Sequence, residues 1–277
     1  MLSKPTKSQT SALIAVSGGL DSLVLLDLLS KKMTSKVIPN DPLCKLIKDF
    51  VQQNNLTKLE LAYIDHNQRT DTNRDIEVIK KVGAASNLTL HIHKLDLKPE
   101  VAEHQARAMR YQALEKIKKD HRLEHIITAH HADDVLETAI INLTRGTGPK
   151  GLSSLRHHPD GIWRPYLSKF EQSTFITKQD LLDYAKQNHL TWNEDSTNKS
   201  AKYFRNRVRS KLSLITDSEK LQFLNLLAKN QSGTLEASIV TNLLIDGLKT
   251  EQESSYNRQP FLELDQETRA HLIHHLL

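Results

Sequence analysis

The stretch that decides the fold is Ala12-Leu-Ile-Ala-Val-Ser-Gly-Gly-Leu-Asp-Ser-Leu-Val-Leu-Leu-Asp-Leu-Leu29. A short apolar run comes first, then Ser17-Gly-Gly-Leu-Asp-Ser22, then a leucine-rich run with polar breaks. This order predicts a buried strand, a tight glycine loop and a helix. Paired glycines let the backbone approach a ligand closely, and a helix N-terminus attracts anions. The loop therefore predicts a phosphate site, with a ligand-free turn as the alternative.

The glycine loop differs from a Walker A motif. The spacing G-x-x-x-x-G-K-[ST] is absent, and no lysine follows the second glycine. The polar side chains Ser17, Asp21 and Ser22 are more than a plain turn requires. They favour the interpretation as a phosphate-binding loop.

The composition fits a globular protein with one large domain, alone or with a smaller one. The chain has 277 residues, of which 38% are hydrophobic and 26% charged. No run is long enough to span a membrane, and the polar N-terminus lacks a secretory signal, so we expect a cytoplasmic protein. Cys44 is the single cysteine, which excludes a disulfide framework and a cysteine-based metal cluster. The net charge of +5 permits nucleic-acid binding without demonstrating it.

Hydrophobic periodicity predicts an α/β protein in which parallel strands alternate with helices. The predicted strands after the first are 57–64, 88–93, 125–129 and an extended segment at 161–167, and the predicted later helices are 43–53, 73–86, 101–119 and 177–188. Past residue 215 the chain becomes helical and poor in glycine. We therefore predict a catalytic domain over 1–215 and a small helical domain over 216–277.

Two polar clusters follow predicted strands, where ligands of open α/β sheets bind. The first is Asp65-His66, although an aspartate there could instead cap the next helix. The second is 130–138, which contains His130, His131, Asp133, Asp134 and Glu137. Its acids could stabilise a helix N-terminus, or they could hold hydrated Mg²⁺ beside a phosphate loop.

Cations and histidines supply further candidates. Arg107 and Arg110 share a side of one predicted helix, either as a phosphate clamp or within a solvated ion-pair ladder. His91 and His93 lie on one strand face, and we expect partly exposed histidines because the sequence shows no third metal ligand nearby.

Two basic segments could contact nucleic acid. One is the glycine-rich loop that contains Arg145, and its alternative is a plain linker. The other, 198–216, has no acid, and its cations interleave with Tyr203 and Phe204, as on surfaces that bind single-stranded nucleic acid. A solvated helix face is the alternative. The candidates there are Lys202, Arg205, Arg207 and Arg209.

The glycine loop resembles the signature of the PP-loop, or N-type ATP pyrophosphatase, superfamily. Narrower motifs resemble, in order, the tRNA(Ile)-lysidine synthetase family and cover about 12–212. They are Ile64-Asp-His-Asn-Gln-Arg69, Ala106-Arg-Ala-Met-Arg-Tyr111, Ala129-His-His-Ala-Asp-Asp-Val-Leu-Glu-Thr138, Leu143-Thr-Arg-Gly-Thr-Gly-Pro-Lys-Gly-Leu152, Arg164-Pro-Tyr-Leu167, Trp192-Asn-Glu-Asp-Ser-Thr-Asn198 and Arg205-Asn-Arg-Val-Arg209. Asn67 and Val135 depart from the family, which often has glycine and glutamine there, but neither removes a catalytic group.

The resemblance implies an adenine-nucleotide alpha hydrolase-like, Rossmann-like fold and a ligase reaction. ATP would adenylate O2 of the wobble cytidine in the isoleucine tRNA with a CAU anticodon, releasing pyrophosphate. Free L-lysine would then attack C2, expel AMP and leave lysidine. The alternatives are another tRNA-modifying enzyme of the superfamily, such as a thiolase, or a non-catalytic tRNA-binding relative. The single cysteine disfavours the thiolase, and the intact loop and Asp-Asp pair disfavour the non-catalytic relative.

The resemblance also implies roles for the candidates. ATP would contact the loop residues Ser17, Gly18, Gly19, Leu20, Asp21 and Ser22, together with Asp65 and His66. Mg²⁺ would be bound by Asp21, Asp133, Asp134 and Glu137, and one of these aspartates could instead hold the lysine ammonium. Catalytic roles fall to Arg107, Arg110, His130 and His131 beside those aspartates, and tRNA contacts fall to Arg145, Lys202, Arg205, Arg207 and Arg209. A homodimer is a further expectation, and without a longer C-terminal domain we expect acceptor-stem recognition to be weaker or built differently.

Overall fold

The three-dimensional structure is a computed structural model. It describes residues 9–34, 41–66, 72–84, 87–95, 101, 103–144, 161–193, 204–212 and 214–229. The chain divides into two compact units: the first comprises 1–130, 157–168 and 176–194, and the second comprises 131–156, 169–175 and 195–277. In the described part of the chain, no helix is both long enough and apolar enough to cross a membrane.

The first unit is built on a parallel sheet of five strands in the order β3-β2-β1-β4-β5. The strands are β1 Thr10–Val16, β2 Leu56–Asp65, β3 Leu90–Lys94, β4 His125–Ile127 and β5 Ile162–Trp163. The central strand β1 is buried along most of its length, as expected for a parallel sheet that helices cover on both faces. This architecture confirms the predicted α/β fold.

Helices of the first unit cover both faces of the sheet. They are α1 Leu20–Met33, α2 Pro42–Gln53, α3 Thr72–Gly83, α4 Glu103–Asp120 and α6 Lys178–Gln187. Alternation along β2 separates the two cores: Leu59, Leu61 and Tyr63 pack with α1, α2, α3 and α6, while Ala62 and Ile64 pack with α4. The sequence predicted these helices, and α6 begins with a capping box between Thr177 and Asp180.

The second unit is helical in its described part. It contains α5 Ala132–Thr144, α7 Phe204–Leu212, α8 Asp217–Lys229 and a short 3₁₀ turn at Phe170–Gln172. Helix α5 packs against both α7 and α8 through buried aliphatic and aromatic side chains. These are Val135, Leu136, Ala139, Ile140, Val208, Leu212, Phe223, Leu224 and Leu227.

The structure corrects one predicted element and leaves others open. The segment 161–167 is a two-residue strand followed by a 3₁₀ turn, Pro165–Leu167, because proline has no N–H donor for a longer ladder. Arg145 and Lys202 lie outside the described residues, as does 230–277. The predicted domain boundary near 215 therefore stays a prediction.

Candidate functional site

The strand order creates a crevice at the carboxyl ends of β1 and β4. From β1 the chain builds outward to β2 and β3, and it later returns to place β4 on the other side of β1. Ligands of open α/β sheets bind at such a switch point. The glycine loop follows β1, and His130 follows β4 with its Nδ1 hydrogen-bonded to Thr128 Oγ1 at 2.8 Å. The loop and His130 therefore lie at the same edge of the first unit.

The glycine loop is held by hydrogen bonds among its own residues. The buried Ser22 hydroxyl accepts a bond from the Ser17 N–H at 3.1 Å and donates to the Gly19 carbonyl at 3.0 Å. No side chain caps α1 at Gly19. An uncapped helix N-terminus presents backbone donors and a positive dipole end to an anion. Ser22 thus shapes the loop, while the start of α1 is suited to phosphate oxygens.

Two constraints require glycine at position 18: its backbone conformation and the lack of space for a Cβ atom. Its φ is +74°, in the region that L side chains rarely adopt. A Cβ added there would lie 2.7 Å from Asp75 Oδ1 and 2.8 Å from Asp75 Cβ. The loop therefore passes directly against the side chain of Asp75.

Asp75 is a supporting residue that the sequence did not reveal. It lies in the first turn of α3, buried to 7% exposure. Its carboxylate accepts hydrogen bonds from Tyr63 Oη at 3.0 Å and from Asn193 Nδ2 at 2.8 Å. The backbone N–H of Asn193 donates to the Gly18 carbonyl at 3.0 Å. The glycine loop is thus supported by residues from three separate parts of the first unit, namely Tyr63, Asp75 and Asn193.

Asp21 already holds an ammonium group. The Nζ of Lys178 donates to Asp21 Oδ1 at 2.5 Å, and both side chains are partly exposed. The fully buried Tyr166 donates through its hydroxyl to the Asp21 carbonyl at 3.1 Å. Lys178 was missed because it lies far from Asp21 in the sequence. Tyr166 belongs to the quoted Arg164-Pro-Tyr-Leu167 motif, and it anchors the first turn of α1.

A group of arginines lies near the beginning of α4 and after β5. The guanidinium groups of Arg107 and Arg110 lie 5.1 Å and 5.5 Å from the ring centre of Tyr111. Burial lowers the pKa of Arg164; Tyr111 counteracts this and Arg107 adds to the lowering. The sequence predicted Arg107 and Arg110 as candidates but gave Arg164 no role.

Asp65 and His66 lie at the carboxyl end of β2, beside the strand that precedes the glycine loop. Both are partly buried. The Asp65 carbonyl accepts a hydrogen bond from the Leu95 N–H at 2.7 Å, which joins the ends of β2 and β3. Their position is the predicted one, and their contact with a nucleotide stays a prediction.

The second unit carries the other polar cluster at the start of α5. Asp134 accepts a hydrogen bond from the His131 N–H at 2.9 Å, so it caps its own helix. The His131 ring is buried, with Nδ1 3.3 Å from Asp133 Oδ2 and Nε2 3.6 Å from Asp134 Oδ2. The helix-stabilising role that the sequence left open is therefore present for Asp134, and both aspartates remain partly exposed.

Glu137 pairs with arginines of α7. Arg209 Nε lies 2.6 Å from Glu137 Oε1, and Arg205 Nε lies 4.0 Å from Glu137 Oε2. Burial and the charge of Asp134 raise the pKa of Glu137, while Arg209 and Arg205 oppose that rise. Arg207 is exposed. The magnesium role of Glu137 and the tRNA roles of these arginines stay predictions.

Comparison with known proteins identifies the family. Residues 1–214 match the PP-loop domain family. The chain is 34% identical over 225 residues to the tRNA(Ile)-lysidine synthase of Orientia tsutsugamushi, covering 79% of this chain and 45% of that protein. It is 30% identical over 206 residues to the tRNA(Ile)-lysidine synthase of Thermotoga maritima, covering 72% of this chain and 44% of that protein. The chain thus spans less than half the length of these relatives.

A solved structure supports the fold. The U34-tRNA thiolase NcsA from Methanococcus maripaludis, solved with its [4Fe-4S] cluster, superposes with a TM-score of 0.53 at 16% identity. The superposition covers 89% of this chain and 74% of that chain. At this identity the likeness concerns architecture alone. The sequence match and the shared architecture lead to one conclusion: the chain belongs to the PP-loop domain family.

Proposed function

We propose that the chain uses ATP to modify the wobble cytidine of the CAU-anticodon isoleucine tRNA to lysidine. The cytosine O2 attacks the α-phosphorus of ATP and expels pyrophosphate. The amine of free L-lysine then attacks C2, loses a proton and expels AMP. The relatives from Orientia and Thermotoga are named tRNA(Ile)-lysidine synthases, which supports an isoleucine tRNA as substrate and lysidine as product.

The observation that carries the proposal is the glycine loop at the start of α1. Gly18 has a positive φ and packs against Asp75, and no side chain caps the helix at Gly19. An anion bound there is held by backbone N–H groups and the helix dipole, which suits the β- and γ-phosphates. With these two phosphates held, the α-phosphorus is the atom open to attack.

Charged groups of the first unit then contribute by holding the reactants and stabilising charge, without forming covalent bonds to them. Arg107 and Arg110 stabilise negative charge that develops during adenylyl transfer, and His130 lies after β4 at the same sheet edge as the loop. Asp21 binds an alkylammonium group in the structure, that of Lys178. We infer that Asp21 could hold the ammonium of substrate lysine or a metal ion in the same way. Positioning and charge stabilisation account for most of what this reaction needs.

Asp133 and Asp134 fit a hydrated Mg²⁺ by their chemistry. Their side chains are 21% and 18% exposed, which leaves oxygen ligands accessible to an ion that keeps several waters. Glu137 fits less well, since its carboxylate is buried and contacts Arg209. Mg²⁺ would supply positive charge at these carboxylates when bound. The buried His131 ring lies 3.3 Å from Asp133 and 3.6 Å from Asp134.

A thiolase, the alternative reaction, fits the described residues poorly. Sulfur transfer by cysteine needs an accessible thiolate. Cys44 is 1% exposed, and burial together with a hydrogen bond to Asp41 raises the pKa of its thiol far above the usual range. An amine nucleophile from free lysine requires no protein thiol.

The test is a lysine-transfer assay. The full chain is incubated with ATP, Mg²⁺, labelled lysine and the CAU-anticodon isoleucine tRNA. We expect label in the tRNA together with release of AMP and pyrophosphate. Asp21→Asn should abolish the transfer, whereas Asp183→Asn, at an exposed acid of α6, should leave it unchanged. No lysine in the tRNA with the parent chain would overturn the proposal.

Contact with tRNA is tested best at Arg207. Arg209 and Arg205 lie against Glu137, so their replacement would perturb the second unit itself. Arg207 is exposed on α7. Arg207→Ala should weaken tRNA binding and lower the slope of log K against log salt by about 1. An unchanged slope would show that Arg207 is a solvated cation.

A further inference from the structure

Three side chains from different parts of the first unit converge on the α4 face of the sheet. They are Glu60 of β2, His91 of β3 and His121, directly after α4. His91 Nε2 lies 2.6 Å from Glu60 Oε2, and His121 Nδ1 lies 3.7 Å from the same oxygen. One ligand atom from each residue lies within 4.8 Å of the other two. The sequence shows no third metal ligand near His91, but the fold brings Glu60 and His121 to it.

The topology explains why these residues meet. Glu60 precedes Ala62 by two positions on the face that packs against α4, and Ala62 is in register with His91. Helix α4 runs back to the amino edge of the parallel sheet before β4 begins, so it brings His121 to that side. The glycine loop lies at the carboxyl edge. The cluster is therefore separate from the candidate nucleotide site.

The chemistry of the cluster suits a zinc-class ion. Two imidazoles and a carboxylate are usual zinc ligands, and three protein ligands leave a fourth position for water. Lys58 Nζ contacts Glu60 Oε1 at 2.8 Å, which fixes the carboxylate and directs Oε2 toward the histidines. Such a second contact on a ligating carboxylate is typical of metal sites. The side chain of His121 is 43% exposed and gives an ion access from solvent.

The two imidazole rings of the cluster lie against each other. The rings of His91 and His121 stack with their centres 3.8 Å apart. A neutral imidazole offers a nitrogen lone pair to a metal ion. A hydrogen bond between His91 and Glu60 accounts for their short contact, and ring stacking places His121 beside His91. A shared cation accounts for all three side chains.

We propose that Glu60, His91 and His121 bind one divalent ion of the zinc class. Tetrahedral zinc with bonds of about 2.0–2.1 Å separates its ligand atoms by about 3.3 Å. His91 Nε2 would therefore move away from Glu60 Oε2 by roughly 0.7 Å on binding, and His121 would move closer. The ion would tie β2, β3 and the end of α4 together. The proposal is independent of the lysine-transfer reaction.

The test compares zinc binding by matched histidine variants of the full chain. After treatment with EDTA and its removal, Zn²⁺ is titrated calorimetrically, and Co²⁺ replaces it to report tetrahedral geometry by visible absorption. His93→Ala is the control, because His93 lies two residues further along β3 and outside the cluster. We expect the parent and His93→Ala to share one site whose affinity falls at least tenfold in His91→Ala and His121→Ala.

A second measurement guards against variants that fold poorly. His121 lies after the last residue of α4 and is largely exposed, so His121→Ala should fold like the parent. Zn²⁺ should raise the melting temperature of the parent and of His93→Ala but not that of His121→Ala. The chain has 14 histidines and each variant removes one of them. Adventitious zinc binding to scattered histidines should therefore be nearly the same in every variant. Equal affinities across the set, or no binding by the parent, would overturn the proposal.

Discussion

Replacing the two loop glycines one at a time separates the structural demand of the loop from its ligand. Gly18→Ala puts a Cβ where φ is +74° and where Asp75 atoms lie 2.7–2.8 Å away. Gly19 has an ordinary φ of −82°, and a Cβ there would meet Ser17 Oγ at 3.4 Å and otherwise open space. The two variants therefore add the same methyl group to very different surroundings.

The expected cost at Gly18 follows from two contributions. Left-handed backbone in alanine costs roughly 1–2 kcal/mol, and overpacking against a fixed neighbour adds about 1–3 kcal/mol. Asp75 cannot retreat easily, since Tyr63 and Asn193 both hold its carboxylate. We expect Gly18→Ala to lower the free energy of unfolding by about 2–5 kcal/mol. Gly19→Ala should lower it by about 1 kcal/mol at most.

Urea denaturation followed by circular dichroism measures both values, and ATP titration follows on whichever variant is folded. Gly19→Ala is the informative protein for the ligand, because its fold should be intact while its added methyl group projects into the open side of the loop. We expect its ATP affinity to fall at least tenfold. Equal stability losses in the two variants would refute the packing argument, and full ATP affinity in Gly19→Ala would refute close approach of a phosphate at that residue.

Three further outcomes follow from the burial and ion pairing of single residues. Arg209→Ala should lower the free energy of unfolding by about 1–3 kcal/mol, because it leaves Glu137 buried without its 2.6 Å partner. Adding Glu137→Gln in a double-mutant cycle should restore part of the lost stability. Purely additive effects of the two substitutions would contradict the pairing. Burial raises the pKa of Glu60, but hydrogen bonds from Lys58 and His91 lower it on balance. The stabilisation by Glu60 should therefore be present above its unfolded pKa of about 4.3 and be lost as the pH falls through the lower folded pKa. In EDTA, the difference in unfolding free energy between the parent and Glu60→Gln should shrink as the solution is made acidic. A difference that does not vary with pH would exclude this linkage. Cys44, with its raised pKa and buried thiol, should react with a thiol reagent only after urea unfolding, and stoichiometric labelling of the native chain would contradict that burial.

Local signals in the sequence predicted the elements that depend on local chemistry. The glycine pair and the leucine spacing of α1 each act over a few residues, and the structure contains both features as expected. The parallel sheet followed from strands that alternate with helices. The prediction of an extended segment over 161–167 was wrong beyond Trp163, because Pro165 has no N–H donor to continue the hydrogen bonds of the sheet.

Contacts across long sequence separations were beyond local patterns. Lys178 meets Asp21 although 157 residues separate them, and His121 meets Glu60 only because α4 returns to the amino edge of the sheet. In a single sequence, a lysine in a helix or a histidine after a helix looks like any solvated side chain. The same limit hid Asp75, whose spacing in α3 fits an ordinary first-turn acid.

Asp75 shows why a phosphate loop needs residues that never touch phosphate. A backbone that must present N–H groups to an anion gains from being fixed before the ligand arrives, since ordering it on binding would subtract from affinity. Asp75 blocks the space beneath Gly18, and Asn193 bonds both to Asp75 and to the Gly18 carbonyl. The quoted motif that contains Asn193 therefore acts, at this residue, on the shape of the glycine loop. Asn193→Ala should therefore weaken ATP binding while leaving the sheet intact. Unchanged ATP affinity would show that the loop keeps its shape without this support.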